Sequence, residues 1–241
     1  DLHRYIELDS GLNGEPPMPA DWLTVAGQLS MFDNKVAVNI CFILGNSPVR
    51  IWAVGWHDRP ATRAELDDMK AVVREVCEEG SFGLSTGLDY PPGSYADTNE
   101  LIELSKVVAR AGGFYHTPTR AILKAKGLLA PWHEALEIGR GADIPVHFTH
   151  YRQRSQGDGS HLDYIGLVER SRDEGLDVTF DCYPYVYGST RANIWLPGWT
   201  MDGGPERLAV ILDSPKERAR LREEMKARNA LGRTDEGWLT Y

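Results

Sequence analysis

The chain has 241 residues, 42% of them hydrophobic and 10% aromatic, enough for one large domain or two small ones with a substantial core. Its net charge of −9 argues against a nucleic-acid partner, because a phosphate backbone needs a basic footprint. No apolar run reaches the roughly 18 residues that suggest a membrane-spanning helix, so no membrane partner is expected.

Residues 1–34 read as an irregular or helical lead-in, and "DLHRYIELDSGLNG" has no apolar core of a secretory leader. "VAVNICFIL" (36–44) is a continuous apolar run with β-branched residues and reads as a buried strand. Then comes "TRAELDDMKAVVREVCEEG", with Thr62 and Glu65 in capping-box spacing. Its residues Leu66, Met69, Val72, Val73, Val76 and Cys77 share one helical face, and Gly80 marks the stop.

The pattern then repeats. "FGLSTGL" (82–88) reads as strand, "DTNELIELSKVVARAGG" (97–113) as helix and "GFYHTPTR" (113–120) as strand. "PWHEALEIGR" (131–140) is a helix with Pro131 at its first position, followed by the strand "IPVHFTHYR" (144–152). "HLDYIGLVERSRDEG" (161–175) is helix and "LDVTFDCYPY" (176–185) strand. These strands begin near residues 82, 113, 144 and 176, a period of about 31 residues that matches a strand–helix unit. Residues 35–200 are therefore taken as a βα core, and 201–241, with the charged stretch "SPKERARLREEMKARN", as a C-terminal helical segment.

Alternating strands and helices predict an α/β fold with a mostly parallel sheet, either open and doubly wound or closed as a (β/α)₈ barrel. No G-x-G-x-x-G follows a strand, which removes the dinucleotide argument. In each of these four units the strand turns polar in its second half: Ser85-Thr86, His116-Thr117, Thr149-His150, and Asp181 with Tyr183. Reactive side chains at the same end of neighbouring strands predict one shared pocket.

Within that pocket His150 is the foremost metal-ligand candidate, since imidazoles on adjacent strand ends can converge on one ion. His147, three residues earlier, is expected on the opposite face, packed against a helix. His116 is the only imidazole of its strand and is read as ligand or structural residue alike. Arg152 is a candidate to clamp a carboxylate in bidentate fashion, whereas Arg120 reads as a salt bridge at the mouth. The loop "CYPYVYGSTRANIWLPGW" (182–199) offers Tyr183, Tyr185, Tyr187, Ser189 and Trp195 as pocket lining, and "LDYPPGSYADT" (88–98) as a second closing loop. Cys41 and Cys77 read as small buried hydrophobes. The three widely spaced cysteines are not a disulfide framework, and a reducing cytoplasm is expected.

"GSFGLSTGLDYPPGSYADTNELIELSKVVARAGGFYHTPTR", "EALEIGRGADIPVHFTHYR" and "GLDVTFDCYPYVYGST" resemble the D-aminoacylase (N-acyl-D-amino-acid deacylase) family of the amidohydrolase superfamily, over about residues 16–235. The resemblance implies a (β/α)₈ barrel with zinc at the carboxyl ends of its strands and hydrolysis of the amide bond of an N-acyl-D-amino acid. It implies His150 as a metal ligand in register, His116 as a substitute ligand, and Arg152, Tyr183 and Ser189 as substrate contacts. Arg152 stands where the family commonly has Lys. Pro118 occupies the family's other strand-end ligand position, Gly45-Asn46-Ser47 stands where the family often reads G-H-G, and the opening H-x-H is missing. About five of the eight barrel strands are counted, and the final-strand Asp that typically shuttles the proton is not among them, so no catalytic residue is assigned. The competing expectation is a non-catalytic or truncated homologue acting as a subunit or binding module, as a homo-oligomer or with a complementing chain that covers the open sheet edges.

Overall fold

The computed structural model describes residues 2–8, 14, 24–120, 123, 126–153, 159–185 and 190–228. In chain order these form α1 (Leu2–Glu7), α2 (Val25–Ser30), β1 (Leu44–Gly45), α3 (Asn46–Ala53), α4 (Arg63–Glu78), β2 (Gly83–Ser85), α5 (Thr98–Arg110), β3 (Phe114–Thr117), α6 (Ala130–Ala142), β4 (Val146–Phe148), α7 (His161–Asp173), β5 (Val178–Phe180), α8 (Pro205–Asp213) and α9 (Pro215–Arg228). The five strands lie side by side in sequence order, every neighbouring pair parallel. A helix follows each strand, as the period of about 31 residues predicts. The sheet is open, with β1 and β5 as its two edges, so the described residues do not close a barrel.

Local chemistry fixes the helix starts. Thr62 and Glu65 form the expected reciprocal capping box at α4: the Glu65 N–H donates to the Thr62 hydroxyl, and the Thr62 N–H donates to the Glu65 carboxylate. Asp97 accepts the Glu100 N–H at α5, and Ser160 with Asp163 builds a second capping box at α7. Pro131 stands in the first turn of α6, where its missing N–H is no loss.

The strand pairing puts Leu44, Leu84, Tyr115, Val146 and Val178 in one row across the sheet. All five are buried, in one core with Met69 and Val73 of α4, Leu101, Leu104 and Val108 of α5, Leu136 and Ile138 of α6, and Leu167 and Val168 of α7. Gly139 of α6 marks a close approach, since a Cβ there would lie 2.4 Å from Cγ2 of Val146. The next row, one residue along, is Gly45, Ser85, His116, His147 and Thr179, on the opposite face of the sheet.

The first strand departs from the sequence reading. Only Leu44 and Gly45 of the 36–44 run and its flank pair as strand, and Val36, Val38 and Ile40 are 44%, 70% and 39% exposed. β1 is an edge, and no described strand pairs with its outer side; Val36, Val38 and Ile40 therefore stay exposed, while Phe42 and Leu44 join the core. Cys41, within that run, is exposed rather than buried, while Cys77 packs in part against the core. Helix α3, beginning directly after β1, was not anticipated; its Arg50 pairs with Glu100 of α5 in the buried interior. No described helix is long and apolar enough to cross a membrane.

Candidate active site

The parallel register brings His116 of β3 and His147 of β4 side by side, their rings stacked with centroids 5.3 Å apart and planes 8° from parallel. Thr179 is next in the row, and its hydroxyl lies 2.7 Å from His147 Nδ1. Asp181, two residues beyond Thr179, lies just past the end of β5, with its Oδ2 3.0 Å from His147 Nε2. A carboxylate can only accept, so Nε2 carries the proton of a neutral His147 and Nδ1 accepts from Thr179. The ligand atoms of His116, His147 and Asp181 all lie within 4.8 Å of one another, a donor set able to hold a metal ion.

Asp181 is fixed from several sides. Its Oδ1 accepts from the Thr149 hydroxyl at 3.1 Å and from the His150 N–H at 3.0 Å. Its own N–H donates to Phe148 O, and its carbonyl accepts from the Tyr151 N–H. Burial works to raise the pKa of this carboxyl, but the hydrogen bonds from the His150 N–H, His147 and Thr149 together hold it below the usual carboxylate range. The pKa of His116 is shifted downward, first by burial and then by the neighbouring His147, which favours the neutral ring. Its Nδ1 is buried without a hydrogen-bond partner, a loss of about 1–3 kcal/mol unless another group fills the place.

His150 stands apart from this donor set. It is exposed, its backbone is left-handed with φ 58°, and its ring meets Tyr183 edge-on at 5.3 Å. His147, expected against a helix, instead faces His116 and Asp181. The alternation used to separate His147 from His150 holds only within a strand, but β4 ends at Phe148 and the chain turns at His150. The signal that finds His147 was present in the period: about 31 residues carry Ser85 to His116 and His116 to His147. Asp181 was recognised as a strand-end polar residue but not as a partner of the histidines.

The substrate-side candidates cluster beside His150. The Arg152 guanidinium carbon lies 4.2 Å from the Tyr183 ring centroid, and Tyr183 stacks on Tyr185 at 4.4 Å. Arg152 Nε is buried with no partner. Ser189 and Tyr187 lie outside the described residues. Arg120 does form the expected salt bridge at the mouth: Nε meets Glu134 at 3.3 Å, while Nη1 and Nη2 donate to Ser94 O and Ala96 O. The two loops do meet, through Tyr90 with Thr190, Arg191 over the Tyr90 ring at 4.3 Å, and the Tyr95 hydroxyl donating to Gly198 O.

No protein-family model matches this chain. A D-aminoacylase of Alcaligenes xylosoxydans xylosoxydans is 31% identical over 77% of the chain and 40% of its own length. The chain thus spans well under half of that relative. A crystal structure of D-aminoacylase, described as defining a novel subset of amidohydrolases, superposes with a TM-score of 0.62 at 29% identity, covering 72% of this chain and 38% of that one. N-acyl-D-glutamate deacylase of Bordetella bronchiseptica, solved with zinc and a phosphonate mimic of the tetrahedral intermediate, superposes with a TM-score of 0.60 at 26% identity over 67% of this chain and 34% of that one.

Proposed function

We infer that this chain, a relative over most of its length of the D-aminoacylases and N-acyl-D-amino-acid deacylases of the amidohydrolase superfamily, carries part of a zinc-dependent site that hydrolyses the amide bond of N-acyl-D-amino acids. The observation that carries the reading is the cluster of imidazole and carboxylate groups at the carboxyl ends of adjacent parallel strands, in a chain 31% identical to a D-aminoacylase. In the whole protein, the five strands would be consecutive staves of a (β/α)₈ barrel.

The donor chemistry suits a divalent ion. Imidazole and carboxylate are ordinary zinc ligands, and the unpartnered buried Nδ1 of His116 marks a place lacking a partner. His116 is a ligand in this reading, with neighbouring strand-end donors completing the set. Held there, zinc would supply Lewis acidity to an acyl carbonyl and lower the pKa of a bound water towards 7. Arg152, presented on the face of Tyr183, binds the substrate carboxylate; Tyr183 walls the pocket, and Ser189 is proposed as a further contact to the same group. The interlocked 88–98 and 190–199 loops keep water from the mouth. Free thiols suit a reducing cytoplasm.

The test is release of free amino acid from paired N-acetyl-D- and N-acetyl-L-amino acids, neutral and acidic, with zinc supplied. D-selective release supports the reading; inactivity towards all D-substrates, or preference for the L-series, overturns it. The open sheet favours a second reading, a subunit completed by strands of another copy or chain. Light scattering that finds a stable soluble monomer counts against it.

A further inference from the structure

The geometry points to a divalent-cation seat made by His116, His147 and Asp181, with His150 outside it. The assignment rests on the metal-dependent reading above and names the ligands within it.

Three strands supply one donor each, and the register places them. Ser85, His116, His147 and Thr179 form one row, and Asp181 continues the Thr179 side of β5. The ligand atoms of the three residues lie within 4.8 Å of one another, so small side-chain rotations bring them to bonding distance around one ion. Pro118, beyond His116 on the same strand, offers no donor atom, which leaves His116 as that strand's only imidazole.

Neighbouring groups already orient the ligands. Thr179 holds His147 Nδ1 at 2.7 Å, so Nε2 is the nitrogen turned to the seat. Asp181 Oδ1 is held by Thr149 and by the His150 main chain, leaving Oδ2 for the ion. His116 brings a ring whose Nδ1 is buried and unpartnered. His150 contributes its backbone N–H to Asp181 and sets its ring against Tyr183, so it positions a ligand without being one. Two histidines and one carboxylate leave the fourth tetrahedral position open, the pattern of catalytic rather than structural zinc sites.

The experiment is metal titration of the chelator-treated full chain, with Zn²⁺ followed by calorimetry and elemental analysis, and with Co²⁺ followed by visible absorption. One equivalent is expected, with a cobalt spectrum of low coordination number. His147→Gln and Asp181→Asn should each weaken binding by at least about tenfold and alter the cobalt bands, while His150→Asn leaves both unchanged within experimental error. Circular dichroism checks that each variant folds. Should His147→Gln fail to fold, Thr179→Val, which removes only the Nδ1 anchor, should weaken binding by about 10–100-fold. Loss of binding in His150→Asn with retention in His147→Gln overturns the assignment, as does absence of any divalent binding. Hydrolysis of N-acyl-D-amino acids that persists unchanged in His147→Gln sinks this seat and spares the proposed activity. Stoichiometric binding that depends on His147 without any hydrolysis does the reverse.

Discussion

His147 and Asp181 hold each other across β4 and β5, Nε2 to Oδ2 at 3.0 Å, while the other oxygen of the same carboxylate accepts the His150 N–H. One carboxylate thus fixes both an imidazole on the sheet and the turn that ends the strand. The left-handed backbone at His150 depends on that second bond, since a non-glycine residue at positive φ needs local support to persist. Replacing Asp181 should disturb the histidine row and the turn carrying Arg152 together.

Arg120 is expected to matter for stability rather than substrate binding. Its guanidinium ties Ser94 O and Ala96 O in the 88–98 loop to Glu134 on α6, and the pair is mostly buried at 13% and 9% side-chain exposure. Arg120→Ala leaves a buried carboxylate and two carbonyls without their cation, a loss of about 3 kcal/mol. Urea unfolding measures this, and Arg120→Lys should recover only part, because an ammonium cannot reproduce the fork.

Glu103 gives the α4–α5 surface a pH dependence. Hydrogen bonds from Lys106 and then Lys70 lower its pKa to about 2, well under its value in an unfolded chain of about 4.3. Because the folded value is the depressed one, the contribution is complete above about pH 4.3 and fades as pH falls towards 2. Glu103→Gln should therefore be less stable than the parent at pH 6, with the difference narrowing as urea midpoints are followed from pH 4.5 to 3. A difference that stays constant with pH excludes this account.

Much of the fold was legible because its signals are local. Thr62 with Glu65 announces α4, Pro131 announces α6, and the period spaces the units. What escaped depends on neighbours: whether 36–44 pairs is decided by what lies beyond β1, and whether His147 faces a helix or the site is decided by register. The alternation rule was carried two residues past the end of β4, across a left-handed turn that a histidine in sequence does not advertise. Arg152 and Tyr183, both read as strand-end candidates, do meet, and the His150 ring joins them rather than His116, His147 and Asp181.

Gly139 and Val146 should couple. A methyl at position 139 would meet Val146 Cγ2 at 2.4 Å, so Gly139→Ala overpacks the α6–β4 contact by about 1–3 kcal/mol, offset in part by the better helix propensity of alanine. Val146→Ala alone removes buried methyl groups and costs about 1–2 kcal/mol. Combined, the new methyl occupies space the valine vacated, and the double variant should be less destabilised than the sum by more than about 0.5 kcal/mol. Simple additivity in denaturant unfolding would mean that the helix moves away instead.

Arg152 offers the sharpest test of the proposed substrate contacts. Its guanidinium carbon lies 4.2 Å from the Tyr183 ring centroid, with Nε buried and without a hydrogen-bond partner, so an anionic group arriving there meets a held cation. A contact to the non-reacting carboxylate binds ground state and transition state alike, and its removal acts on KM. Arg152→Ala should raise KM for an N-acyl-D-amino acid about 10–100-fold, with kcat changed far less. Arg152→Lys should recover part of the loss, keeping the charge without the bidentate geometry or the full stacking. If the alanine variant instead lowers kcat and leaves KM alone, the guanidinium acts on the reacting amide and the carboxylate pocket lies elsewhere.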